Sequence, residues 1–284
     1  MKIAIMANVT KEGVKTVVPE FCRQLGQAGI ETVLDENLLY VVGNGYEFRP
    51  EATLFEGADL IVSFGGDGTI LHVSAVSAST GIPILGVNLG KVGFLAEVSP
   101  DEIAQTVQYI RDSDYEIKER MSFSASVDGG KPYFALNDIV LDRNANTRIL
   151  EFCVSVNDID AGDFFADGLI VATPTGSTAH SASAGGPLVM PECSVIILTP
   201  ICPHSLTLRP LIVDGSQKVR VDVLSGLARM AVDGQSFIEI CPGSHVTVER
   251  GQKPVRIARF RNKTYFDILH QRLNWGVTPK MKNA

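Results

Sequence analysis

Ser63-Phe64-Gly65-Gly66-Asp67-Gly68-Thr69 is the stretch on which the fold turns. Before it stands Asp59-Leu60-Ile61-Val62, a short apolar run of the kind that forms a buried parallel strand. After it, Ile70 to Val76 continues as a helix. The local order is therefore strand, glycine-rich turn, helix start. Glycines let the backbone approach a ligand closely, and a helix N-terminus favours phosphate. One carboxylate, Asp67, sits in the middle. Beside phosphates a carboxylate is unfavourable unless it binds a metal, takes a proton or grips hydroxyls. That tension suggests phosphoryl transfer. A tight turn with a helix-capping aspartate is the bland alternative.

Working outward, Lys2–Ala7 reads as a first strand. Val14, Val17, Val18, Phe21 and Leu25 follow at helical spacing, with Pro19 inside and Gly29 as a stop. Ile30–Leu34 reads as a second strand, and residues 35–57 stay ambiguous. Pro83–Val87 is a further strand, and Asn88–Leu95 is a second glycine-rich loop at its C-terminal end, with Lys91 as a candidate phosphate contact. Ser99-Pro100 starts a helix. Strands alternating with helices predict a parallel sheet, and open sheets of this kind bind ligands at strand C-termini, where both glycine loops lie.

The texture changes near residue 115. Ser122–Val127 and Tyr133–Leu141 flank Asp128-Gly129-Gly130, a hairpin signal. Short alternating runs follow at Leu150–Val156, Leu169–Thr173, Val195–Thr199, Lys218–Leu224, Arg229–Val232, Phe237–Ile240 and His245–Glu249. They predict an antiparallel two-sheet domain, with one short helix after Gly176. Tyr265–Leu273 is helical again. The expected organisation is an N-terminal Rossmann-like α/β domain, 1–115, with 262–284 packing back on it, and a C-terminal antiparallel two-sheet β domain, 116–261.

Composition limits the function. A chain of 284 residues with 45% apolar residues builds a packed core. A net charge of −7 without a long basic cluster argues against nucleic acid. No run reaches the length of a membrane span, and Met1–Met6 reads as a strand rather than a leader. Five scattered cysteines without metal spacing fit buried or inert thiols in a reducing cytoplasm. No P-loop signature occurs, and no serine–histidine–aspartate order of a hydrolase is apparent.

Two segments of the second half carry chemistry. Asn137-Asp138 lies within the apolar Ala135–Leu141 run, where a polar pair is costly without partners. An amide beside a carboxylate suits a nucleoside, amide to base and carboxylate to ribose; a surface strand end or a bulge is the alternative. Asp167–Pro187 is again a strand, a turn rich in glycine and hydroxyls, and a helix start that Ser177 or Thr178 could cap. His180 there could stack on a base, carry a proton or simply pack.

Taken together, Gly65-Gly66-Asp67-Gly68-Thr69, Asn137-Asp138 and Thr175-Gly176-Ser177-Thr178-Ala179 resemble the three signature segments of NAD kinases, in order and at similar spacing. Gly86–Gly90 with Gly93-Phe94-Leu95, Thr199–Leu206 with Arg209-Pro210, and Asp233-Gly234-Gln235 also look like that family. The first segment alone is shared with phosphofructokinases and with diacylglycerol and sphingosine kinases. The joint occurrence, over about residues 1–265, carries the resemblance.

The resemblance implies transfer of a phosphoryl group from ATP, or from inorganic polyphosphate, to the 2′-hydroxyl of the adenosine ribose of NAD, with Mg²⁺ offsetting the donor's charge. Asp67 would hold or deprotonate that hydroxyl, amid the phosphate-binding loop of Gly65, Gly66, Gly68 and Thr69, with Phe94 from the second loop. Asn137 would contact adenine and Asp138 the ribose, and Thr178 and Ala179 would line the adenine site. Asp167, His180 and Ser183 would lie near the second nucleoside half. No dedicated protein metal site is implied. A cytoplasmic homodimer or homotetramer with sites at the subunit interface is expected, without nucleic-acid or membrane partners. One departure stands out: most members carry tyrosine where this chain has His180. A lipid kinase of the same glycine-loop group and a nucleotide sensor without turnover are the competing readings.

Overall fold

The computed structural model describes residues 1–90, 93–143, 148–261 and 263–276; Lys91 lies outside them. The chain forms two compact units, Met1–Lys118 with the chain from Arg256 onward, and Glu119–Val255.

The first unit is built on a seven-stranded sheet. Across it run Glu47–Arg49, Glu31–Asp35, Lys2–Ala7, Leu60–Gly65, Ile84–Asn88, Val255–Arg259 and Glu116–Arg120. The first five strands pair in parallel. Strand order reverses direction beside Lys2–Ala7, the switch point at which such sheets bind ligands. Leu60–Gly65 and Ile84–Asn88 are buried at every residue, as a strand covered on both faces must be. Helix Val14–Gln27 continues through Pro19 and buries Val14, Val18, Phe21, Cys22 and Leu25. Phe21 meets Phe64 edge to face at 5.2 Å. Helix Ile103–Arg111 adds Ile103, Val107 and Ile110 to the same core. Its entry is capped as the sequence predicts: the Glu102 carboxylate accepts from both the N–H and the hydroxyl of Ser99, at 2.8 Å each. The ambiguous stretch holds only short pieces, the turns Glu36–Leu38, Leu39–Val42 and Glu51–Leu54 and the strand Glu47–Arg49.

The strand Val255–Arg259 is absent from the sequence reading. It aligns parallel to Ile84–Asn88, with Ile257 opposite Ile84. The chain therefore rejoins the first unit six residues before the expected point at 262, and helix Tyr265–Leu273 follows.

The second unit is two six-stranded sheets whose pairings are antiparallel. Phe123, Ala125, Phe152, Val221 and Val246 of one sheet share a core with Ile139, Leu141, Leu169, Val171 and Met230 of the other. Full burial of each large apolar side chain contributes about 1.5–3 kcal/mol, so this inner layer dominates the unit's stability. Two strands escape the sequence reading here. Ile159–Ala166 is mostly exposed and lacks an apolar alternation, and Leu211–Asp214 is a four-residue edge.

One expected strand is in fact two. Tyr133–Ala135 pairs with Phe123–Val127, completing the predicted hairpin. Asp138–Asp142 belongs to the other sheet, between Gly168–Ala172 and Ala228–Val232. Leu136-Asn137 is the crossing between the sheets, so Asn137-Asp138 stands at a switch of strand rather than inside one.

Candidate active site in two halves

In the first unit, Leu60–Gly65 ends at the glycine loop, and helix Asp67–Thr80 begins at Asp67. Gly66 is the N-cap in an extended conformation. A Cβ on Gly65 would overlap the Thr69 hydroxyl, so the turn closes only with glycine there. The second glycine loop lies alongside, because Leu60–Gly65 and Ile84–Asn88 are neighbours; Leu89 N–H donates to the Gly65 carbonyl at 2.8 Å.

Asp67 joins the two loops. Its Oδ2 accepts from Phe94 N–H at 2.8 Å, and its Oδ1 from Leu95 and Ala96 N–H at 3.0 Å each. A Cβ on Gly93 would overlap Oδ1, so that glycine makes room for the carboxylate. A carboxylate offers about four lone-pair directions, so three amides leave capacity for one further donor. Phe94 is half-buried, with the Arg272 guanidinium 5.8 Å from its ring centre. The chain beyond Ala96 is anchored by the returning segment. Buried Glu97 pairs with Arg259 at 2.7 Å, and Lys263 donates to the Glu97 carbonyl at 2.8 Å.

In the second unit, a cavity of about 310 Å³ is lined by Asn137, Asp138, Val140, Asp142, Ala179, His180, Arg229, Ala231, Asp233, Gly234 and Phe237. That volume is at the lower end for small-ligand pockets. Six residues singled out in the sequence thus meet here: Asn137, Asp138, Ala179, His180, Asp233 and Gly234. The segment Thr173–Ala179 is fastened to the Leu136–Asp138 crossing. Thr173 donates its hydroxyl to the Leu136 carbonyl at 2.6 Å and its N–H to the Asn137 carbonyl at 2.8 Å. A Cβ on Gly176 would overlap the Asn137 carbonyl.

The expected helix cap does not form. Ser177 is fully buried and braces Val189, donating to its carbonyl and accepting its N–H, while Thr178 donates to the Thr175 carbonyl. The helix itself is one turn, His180–Ser183. Ser183 on that turn is exposed and outside the cavity lining. Asp167 lies at the other end of Gly168–Ala172 from the residue facing Asp138, since Ala172 pairs with Asp138 and Gly168 with Asp142. There it pairs with Arg143 at 3.1 Å, apart from the Asn137–His180 group.

Arg229 and Phe237, without a role in the sequence reading, complete the cavity, and Asp233, noted there only within a family-like segment, has a structural task. Arg229 pairs with Asp142 at 2.8 Å and lies 4.8 Å from the centre of the exposed Phe237 ring. Asp233 accepts from the N–H groups of Leu136, Asn137 and Asp138 at 2.8, 2.7 and 3.0 Å. Asp233-Gly234 forms the hairpin turn between Ala228–Val232 and Ser236–Ile240, with φ of 49° and 66°. Burial pushes the Asp138 carboxyl up, the Asp233 charge adds to it, and the group titrates near 7. Burial also raises Asp233, against the lowering effect of its three amide donors.

The five cysteines are free thiols. Burial pushes Cys22 up to about 12, and a hydrogen bond with Asp163 and burial push Cys153 up to about 11. Cys193, Cys202 and Cys241 are exposed. Among the described residues, Cys153, Asp160 and Asp163 are the one group of three metal-type ligands lying close together. They belong to the second unit and are away from Asp67 in sequence and unit. Asp67 has given most of its acceptor capacity to amides. The residues therefore do not fit a protein-held Mg²⁺ at the glycine loop. No helix among the described residues is long and apolar enough to cross a membrane.

Comparison with known proteins assigns both halves. The model of the ATP-NAD kinase N-terminal domain matches residues 3–115, and that of the C-terminal domain matches residues 136–260. The NAD kinase of Chlorobaculum tepidum is 36% identical over 279 residues, covering 97% of this chain and 98% of that protein. That of Geobacter sulfurreducens is 37% identical over 281 residues, covering 97% and 99%. Among solved structures, yeast NADH kinase complexed with NADH superposes with a TM-score of 0.91 at 25% identity, covering all of this chain and 90% of that one. An NAD kinase from Archaeoglobus fulgidus in complex with ATP gives 0.77 at 26% identity, covering 96% and 99%. Domain models over both units and relatives matched end to end lead to one conclusion: the chain belongs to the ATP-NAD kinase family.

Proposed function

We infer that the protein is an NAD kinase that transfers the terminal phosphoryl group of ATP to the 2′-hydroxyl of the adenosine ribose of NAD, making NADP. The observation that carries this reading is the cavity lined together by Asn137, Asp138, Ala179 and His180, which come from two separate signature segments. A lipid kinase needs a wide apolar acceptor pocket, whereas Asp138, Asp142, Arg229 and Asp233 put charge on the walls of this one. Asn137 offers both a donor and an acceptor to a base edge, Asp138 accepts from ribose hydroxyls, and His180 presents a flat ring.

Phosphoryl transfer passes through a loose transition state, so positioning and charge neutralisation matter more than base strength. Asp67 suits that task. Held by three amides, its carboxylate cannot swing, and its remaining acceptor position orients a hydroxyl and takes its proton late. The glycine loops supply close backbone approach for phosphates. Mg²⁺ enters on the donor phosphates as part of the substrate, a common mode for an ion that keeps several waters and takes few carboxylates. Polyphosphate is a second donor in this reading. NADH is a second acceptor, favoured by the likeness to a yeast kinase solved with NADH.

We place the enzyme in the cytoplasm, as a homodimer or homotetramer. Exposed Phe165, Leu211, Ile212 and Phe237 supply apolar surface for such assembly. Asp167 and Ser183 would then serve the second nucleoside half.

The test is an assay of NADP formation with ATP or polyphosphate as donor and NAD, NADH or diacylglycerol as acceptor. NADP formed from ATP and NAD is the expected result. Phosphorylation of diacylglycerol alone, or nucleotide binding without turnover, overturns the reading.

A further inference from the structure

We propose that Asp233 is a positioning residue for substrate binding: its carboxylate, by accepting three consecutive backbone N–H groups, fixes the crossing that carries Asn137 and Asp138 toward the cavity. The proposal rests on the NAD-binding reading of that cavity.

The need arises from the topology. At Leu136-Asn137 the chain leaves one sheet for the other, and neither residue belongs to a strand. Their N–H groups have lost ladder partners, and a buried donor without an acceptor costs about 1–3 kcal/mol. Asp233 supplies the acceptors at 2.8, 2.7 and 3.0 Å, and its own N–H donates to the Asp138 carbonyl at 3.0 Å. The positive φ of Asp233 and Gly234 turns the chain so that the short side chain points back at the crossing. An asparagine there has one oxygen to accept with, and its NH₂ would face an N–H. Asp67 holds Phe94, Leu95 and Ala96 in the same way in the first unit. The arrangement is thus used twice, each time on a loop that the functional reading needs.

Asp233 also sets the charge that Asp138 meets. Asp138 is 4% exposed. Facing it from the Asp233 turn is that carboxylate, and from the helical turn is His180. On Ala228–Val232 the cavity charge is Arg229, which is paired with Asp142. The strand Gly168–Ala172 carries no charge. A neighbouring anion and burial therefore both hold a proton on Asp138. Ribose hydroxyls donate to a carboxylate, so NAD affinity should weaken as pH falls through about 7. A neutral residue 233 moves that limb to lower pH. That shift reads the charge of Asp233, whereas the affinity at pH 8, where Asp138 is ionised, reads its hold on the crossing.

The experiment has two arms on the full chain. The first is amide hydrogen exchange of the unliganded protein, which should show Leu136, Asn137 and Asp138 protected well above exposed loops. Free exchange at these amides overturns the proposal, with no variant needed. The second is calorimetric titration of NAD between pH 5.5 and 8.5 into the parent, Asp233→Asn and Asp138→Asn. Asp233→Asn should weaken NAD roughly tenfold at pH 8, the scale of one or two lost oriented hydrogen bonds. It should also shift the acid limb downward. Asp138→Asn should abolish the limb. Parent-like affinity and an unmoved limb in Asp233→Asn refute the positioning role alone. A parent that binds no NAD at any pH refutes the functional reading, and the proposal with it. Should Asp233→Asn not fold, the exchange result decides.

Discussion

Asp138 is a carboxyl at the wrong address for an ionised group: buried, and beside another carboxylate. Its raised titration has a stability consequence. In the unfolded chain an aspartate releases its proton near 3.9, whereas here it does so near 7. Between those values the folded state binds more protons, so stability falls as pH rises across that window. Asp138→Asn should therefore raise the melting temperature at pH 8 and gain little near pH 4; equal shifts at both pH values would remove the buried-charge argument. His180 is exposed and lines the same cavity. If its ring stacks on the ligand, His180→Ala should lose about 1–3 kcal/mol of NAD binding, the scale of base–aromatic stacking. His180→Tyr should retain or improve binding. Titration of the two variants checks this, and parent-like affinity in His180→Ala would exclude the contact. At this scale the sequence was legible where residue type alone speaks. Asn137, Asp138, Ala179 and His180 do line one cavity. Asp233 was legible only as part of the family-like Asp233-Gly234-Gln235; its hold on the crossing was not, because its partners are 95 to 97 residues away.

Among the elements, the two glycine loops are held together by their neighbouring strands and by one side chain. Gly93 is the residue that lets the Asp67 carboxylate in. Gly93→Ala should displace the carboxylate or break its bonds to Leu95 and Ala96, reducing kcat for NADP formation by roughly 10²-fold, as for a misplaced catalytic group. The fold should survive, because the change sits in a loop beyond the C-terminal end of Ile84–Asn88 and not in a strand or helix. Turnover and melting temperature measured together check it; a normal kcat would show that the loop tolerates the methyl. The strand–loop–helix order around Asp67 was readable from apolar run and glycine alone. The break of Tyr133–Leu141 into two strands was not, since apolar residues stand on both sides of Asn137-Asp138 while the partner strand changes across it. Ile159–Ala166 was missed for the opposite reason: its pairing is made by backbone, and its side chains are largely exposed.

For the whole molecule, the sequence pattern conveyed an α/β unit followed by a two-sheet β unit, and the structure has both. The return of the chain to the first unit begins at Arg256, six residues before the expected 262. Val255–Arg259 resembles any short strand of the second unit, yet it pairs with Ile84–Asn88 of the first. Behind it, Arg259 and Lys263 grip Glu97 next to the loop that Asp67 holds. The returning segment is thus tied to Glu97, one residue beyond the amides that Asp67 holds, by an ion pair and a hydrogen bond. The family assignment covers both units, and the proposed chemistry turns on Asp67 orienting a hydroxyl. The most direct test measures NADP formation from ATP and NAD by the parent and by Asp67→Asn, together with NAD binding. The account predicts NADP from the parent and, in the variant, NAD binding with kcat lowered by roughly 10²-fold or more. A parent that makes no NADP, or an Asp67→Asn protein that turns over at the parent's rate, would contradict it.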